Sequence, residues 1–149
     1  MTDHDHDHDH DHEHDHDHDD VEVDFEADLT AQQEAEQRAR RQLALAQIRQ
    51  YGDPVLRMRA NEVEAFDTEL EMLAERMFLL MHDADGVGLA ATQIGIVKRV
   101  FVFNNEGEDV AVVNPVLTKT SRDVEVDTEG CLSLGPVRMT VERSVDVTI

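Results

Sequence analysis

The apolar residues of this sequence change their spacing at Gly95, and no single-class fold accommodates both spacings. Before it, Leu70, Leu73, Met77, Leu80 and Met81 recur three or four positions apart, which puts them on one side of a helix. Thr68 and Glu71 form a capping-box pattern at its start, and Asp85-Gly86 marks its end. After Gly95, residues 96–103 (IVKRVFVF), 110–117 (VAVVNPVL), 123–127 (DVEVD) and 145–149 (VDVTI) are short, β-branched and bounded by turn residues, so they read as strands. Residues 104–109 (NNEGED) read as a hairpin loop. Helices followed by several strands predict an α+β domain with antiparallel sheets. Met72, Met77 and Met81 are expected as core filler, methionine being adaptable packing material.

An earlier helix is predicted over residues 30–46, where Thr30 and Gln33 form another capping-box pattern ahead of strong helix formers. Gly52-Asp53-Pro54 then breaks the chain. Residues 1–29 differ in kind: they hold 14 of the 34 acidic residues, 8 of the 9 histidines and no Lys or Arg. The domain reading is therefore a disordered His/Asp-rich tail over 1–29 and a folded body over 30–149. The tail's imidazoles are ready ligands for divalent metal ions, and metal buffering is one role open to it; a solubilising tail or a purification tag is the plainer alternative.

The body carries 20 acidic residues against 13 basic ones, with no basic stripe, which argues against a nucleic-acid partner. A single cysteine makes no intramolecular disulfide and no demand for an oxidising compartment. No apolar run approaches the roughly 20 residues that span a bilayer, and the acidic start is unlike a secretory signal. A cytoplasmic protein without membrane contact is the expectation.

Two short stretches can carry chemistry. In residues 86–95, GVGLAATQIG, small residues let another backbone approach and pair with exposed main-chain groups, and Gln93 adds an amide where they end. A plain turn into a strand reads equally from these residues. In residues 129–133, EGCLS, the Cys131 thiolate could ligate a metal while the next N–H donates to an oxyanion. Alternatively, Cys131 is a small buried apolar residue.

Taken together and in order, GDPVLR (52–57), GVGLAATQIG and EGCLS resemble the motifs of the peptide deformylase family, in outline over residues 48–149. The resemblance implies an α+β metallohydrolase that removes the formyl group from N-terminal formyl-methionine of nascent bacterial and organellar proteins, near the ribosome. It implies a divalent metal, Fe2+ in the native enzyme and replaceable by Ni, Co or Zn, held by one cysteine, two histidines and a water that becomes hydroxide near neutral pH. Cys131 matches the cysteine ligand. Gln93, through its amide, and Leu132, through its backbone N–H, match the groups that stabilise the oxyanion. Val87 and Gly88 match the strand edge that pairs with the substrate peptide, beside an apolar pocket for the methionine side chain. Glu129 matches a glutamate in a supporting role near the metal.

The family's His-Glu-x-x-His helix, source of both histidine ligands and the proton-shuttling glutamate, has no counterpart in these 149 residues. His82, the one histidine beyond the tail, matches no ligand position and reads as a helix-end residue in a favourable dipole. The expectation is a truncated or inactive deformylase chain, with a sheet face left uncovered. A non-catalytic deformylase-like peptide-binding protein and metal binding by the tail are the alternatives.

Overall fold

The computed structural model describes residues 25–149; most of the expected His/Asp-rich tail, residues 1–24, lies outside the described residues. The first helix, α1 (Phe25–Gln47), includes residues 25–29, which composition assigns to the tail. Thr30 is not its cap. Its hydroxyl donates to the Glu26 carbonyl at 2.8 Å, the back-bond that a mid-helix threonine makes. Two exposed pairs, Glu34–Arg38 and Glu36–Arg40, support this part at i,i+4 spacing. Only the last turn enters the core, through Ala44 and Leu45, with Ile48 just beyond the helix.

The second helix, α2 (Thr68–Asp83), fits the predicted span, but its cap is Asp67 rather than Thr68. The Asp67 carboxylate accepts from the N–H groups of Glu69 and Leu70 at 3.1 and 3.2 Å, satisfying donors that the helix itself cannot. Leu70, Met77, Leu80 and Met81 face inward as their spacing requires, and Leu73 packs at the margin. Met72 does not belong to this face: it is 62% exposed, because five positions before Met77 carries it well around the helix. At the other end, Asp85 N–H donates to His82 O and Gly86 N–H to Met81 O, with Asp85 at φ 55°. This paired bond set is a Schellman motif with aspartate in the left-handed position that usually takes glycine.

The chain leaves this motif directly into a three-stranded antiparallel sheet of β1 (Gly88–Ala90), β2 (Val100–Asn105) and β3 (Glu108–Val113), in the order β1-β2-β3. Leu89 lies opposite Val102, and Val100 opposite Val113. Between β2 and β3, Glu106 and Gly107 both have positive φ, 50° and 94°, the backbone that a two-residue hairpin turn requires. The strand expected through Leu117 stops at Val113, since Asn114 turns into φ 52° and Pro115 has no N–H to offer a ladder. Met77, Met81 and Val102 are the largest fully buried side chains and join helix to sheet; each burial stabilises by roughly 1.5–3 kcal/mol.

The remaining residues pair among themselves. β4 (Lys119–Thr120) joins β7 (Val147–Thr148), and β5 (Val124–Gly130) joins β6 (Arg138–Ser144), all antiparallel. β6 has no counterpart in the predicted strands. Its alternation offers only Met139 and Val141 as apolar positions, too few for a period to register. This half exposes Val126, Met139, Val147 and Ile149. The architecture is α+β with antiparallel sheets, as the change of spacing at Gly95 requires.

Asp67→Ala should lower unfolding free energy by about 1 kcal/mol, while Thr30→Ala should change it by less than about 0.5 kcal/mol. Urea denaturation of the two variants checks both.

Candidate functional site

β1 is an edge strand: β2 covers one side of it, and no strand covers the other among the described residues. Asn104 N–H donates to Val87 O at 3.0 Å, so the backbone polar groups of Val87 point toward β2. Strand backbones alternate, and Gly88 N–H and C=O therefore point to the open side. Ala90 N–H also points away from β2 and is taken by a side chain, Gln93 Oε1, at 2.8 Å. Of the two residues matched to the peptide-pairing edge, Gly88 thus presents free backbone groups, whereas Val87 presents an 81% exposed side chain.

Gln93 sits in the short 3-10 turn Ala91–Ile94 and uses both ends of its amide. While Oε1 holds Ala90, Nε2 donates to Ser133 Oγ at 3.0 Å and lies 3.8 Å from Cys131 Sγ. The Cys131 segment is held in turn by the residues after α1. Tyr51 N–H donates to Ser133 O at 2.8 Å, and the Gln50 amide donates to Leu132 O at 3.2 Å. Leu132 opens the 3-10 turn Leu132–Leu134, whose geometry leaves its first N–H without an intrahelical acceptor. Sequence reading missed Gln50, Tyr51 and Ser133; neither their types nor their spacing announces contacts over such separations.

Gly86 supplies the space for Leu132. A Cβ on Gly86 would stand 2.7 Å from Leu132 Cδ1, so a larger residue there displaces the leucine. Around these groups opens a cleft of about 680 Å³, with Leu45, Val87 and Leu132 as apolar lining and Gly88, Gln93 and Cys131 on its walls. The matched residues Val87, Gly88, Gln93, Cys131 and Leu132 therefore share one cleft. Glu129 is committed elsewhere: Arg143 on β6 binds it through two nitrogens at 2.7 and 2.6 Å. The Arg143 hydrogen bonds hold its carboxyl below the ordinary value of 4.5.

Cys131 is exposed and is the one thiol. No group of three or more His, Cys, Asp or Glu residues able to hold a metal ion occurs among the described residues. His82 Nε2 lies 2.9 and 2.8 Å from the two carboxylate oxygens of Asp109, and lines a separate cleft between α1 and the end of α2. The described residues thus do not fit a metal site of one cysteine and two histidines. They line an open cleft with a single thiol at its side.

The family model for polypeptide deformylase matches residues 45–149. A peptide deformylase from Thermotoga petrophila is 46% identical over 102 residues, covering 68% of this chain and 62% of the relative. Peptide deformylase 1 of Corynebacterium glutamicum is 43% identical over 105 residues, with the same two coverages. Among solved structures, the Thermotoga maritima peptide deformylase superposes with TM-score 0.64 at 47% identity, over 65% of this chain and 66% of that one. The class I type b peptide deformylase from Acinetobacter baumannii gives TM-score 0.66 at 34% identity, over 68% and 71%. The chain spans 62% of the length of these two curated relatives.

The Glu129–Arg143 pair predicts an acid dependence. A carboxyl held down in the folded state contributes stability above its unfolded value, and the contribution is lost as pH falls through the folded value. Stability should fall as pH drops below 4.5, and Glu129→Gln should flatten that limb in urea unfolding between about pH 3 and pH 6. Some slope should remain, because hydrogen bonds from Asn104 and His82 hold Asp109 below its ordinary 3.8 as well.

Proposed function

This chain belongs to the polypeptide deformylase family, and from that premise we propose that its cleft binds formyl-methionyl peptides for hydrolytic removal of the formyl group. One observation carries the reading. The Gln93 amide brings together, through three contacts, the edge of β1, the Cys131 thiol and the Leu132–Leu134 turn.

The peptide lies along the open side of β1 and pairs with Gly88 N–H and C=O, the mode in which an extended segment extends a sheet. Leu132, next to Cys131, gives the first side chain an apolar surface. The formyl group then lies beside Cys131. As its carbon becomes tetrahedral, the oxygen gains charge, and two donors are placed for it: Gln93 Nε2 and the unengaged Leu132 N–H. A donor of this kind lowers a barrier by about 2.7–4 kcal/mol in acyl-transfer sites. Gln93 is preorganised for the task because Ala90 fixes its other end.

The family is metal-dependent, and Cys131 is our assignment for its thiolate ligand; thiolate with imidazole suits ferrous iron, nickel, cobalt and zinc. The described residues do not supply the other ligands, so they account for binding and oxyanion stabilisation and not for activation of the attacking water. Glu129 serves the site indirectly, by fixing β5 to β6 next to Cys131. On this reading the reaction occurs near the ribosome, and we take the compartment to be the cytoplasm. No helix among the described residues is long and apolar enough to cross a membrane.

Gly88→Pro tests the edge directly. It removes the outward N–H without removing a bond to β2, and edge strands tolerate proline. Calorimetric titration with formyl-Met-Ala-Ser should show binding weakened about three- to tenfold, with the unfolding midpoint little changed. Unchanged affinity would remove the edge from the reading.

A further inference from the structure

The segment before residue 45 lies outside the match to the family, yet α1 reaches the peptide cleft through Arg41 and Leu45. Arg41 is held there by two independent constraints. Arg41, Ala44, Leu45 and Ile48 recur at three- and four-residue spacing, and Ala44 and Ile48 are 2% and 3% exposed, so this turn is fixed by the core. Arg41 Nε also lies 3.1 Å from Asp85 Oδ2, both side chains being about half exposed. Asp85 occupies the left-handed position of the Schellman motif, where glycine costs least and a non-glycine residue carries strain. The strained position therefore holds the one carboxylate that meets α1 at the cleft.

The direction of β1 fixes which part of a peptide meets Arg41. Gln93 binds Ala90, so the formyl end lies level with Ala90, past which the thiol sits. A peptide extended along the open side then passes Leu89, Gly88 and Val87 before it reaches Gly86 and Asp85. At about 3.3 Å per residue, its third and fourth residues arrive within the span of an arginine side chain anchored at Asp85. Of the charged residues lining the cleft, Arg41, Asp85 and Arg138, the two arginines exceed the one carboxylate, and that carboxylate already faces Arg41.

We propose that α1 forms a wall of the peptide cleft and that Arg41 is a specificity-determining residue, favouring an acidic side chain at the third or fourth position of the bound peptide over a basic one. The pair with Asp85 is made through Nε at 3.1 Å, and a guanidinium carries five N–H groups, so donors remain for a peptide carboxylate. Arg138 adds a cation at the Cys131 end of the cleft, carried on β6 beside Gly130, and forms a background common to every peptide. The inference rests on the peptide-binding reading above.

The test is titration of the 149-residue chain with formyl-Met-Ala-Glu-Ser and formyl-Met-Ala-Lys-Ser at low ionic strength. The acidic peptide should bind about three- to fivefold more tightly, the size expected of a partly exposed charge pair, and the preference should fade in about 1 M salt. Arg41→Gln should abolish it, Arg41→Lys should keep most of it, and Asp85→Asn should preserve or widen it. Equal affinities in the parent chain, or a preference that survives Arg41→Gln in a variant with an unaltered unfolding midpoint, would overturn the inference alone. Failure of both peptides to bind would overturn it together with the peptide-binding reading.

Discussion

The two halves of this fold meet through two side-chain amides, those of Gln93 and Gln50, and the Tyr51 N–H. Residues 116–149 pair among themselves, and their hydrogen bonds to residues 25–114, among the described residues, converge on Cys131, Leu132 and Ser133. Gln93 is the only side chain there that also holds the first sheet, because its oxygen caps Ala90 while its nitrogen reaches Ser133. Ser133 is the buried polar residue of the described structure, and a buried hydroxyl without a partner is costly. The amide thus supports the fold and the cleft at once. A group placed to donate to an oxyanion needs a fixed orientation, and here that orientation follows from a bond the sheet edge needs in any case.

The end of α2 does comparable work on the opposite side of the cleft. Its Schellman motif turns the chain within four residues, 84–87, from helix into edge strand, and the first three of them each have a second contact. Ala84 is buried in the core, Asp85 meets Arg41, and Gly86 leaves room for Leu132. The chain could change from helical to extended period in many ways. This one places Gly88 with its polar groups outward one residue after Val87, whose carbonyl is still held by Asn104.

Much of this was legible in the residues, and the parts that were not have a common cause. Leu70, Met77, Leu80 and Met81 announce α2 because burial imposes a period, whereas the small residues of 86–95 fit a plain turn as well as a close approach, and at Gly86 the group that comes close is the Leu132 side chain. Local signals were weaker guides where they competed. Thr30 and Thr68 both carry a capping-box pattern, yet one sits inside α1 with its hydroxyl on Glu26, and the other yields the cap to Asp67 one residue earlier. β6 escaped because its partner and not its composition defines it: Glu129 and Arg143 lock β5 to β6 across positions that look merely polar. The exposed Met72 shows the same limit, since residue type alone does not say which helix face it occupies. The matched residues Val87, Gly88, Gln93, Cys131 and Leu132 share one cleft, while Arg41, which lines it, and Gln50 and Tyr51, which hold the Cys131 segment, belong to no motif.

The account depends on a peptide seating along β1 with its formyl end at Gln93 and Leu132. Amide nuclear magnetic resonance of the isotopically labelled 149-residue chain, titrated with formyl-Met-Ala-Ser, observes that seat group by group. The account predicts that the Gly88 and Leu132 backbone signals and the Gln93 side-chain amide shift together at one affinity, while the Leu89 amide, turned toward β2, moves little. Shifts confined to the cleft around His82, or Leu89 moving while Gly88 stays still, would contradict it.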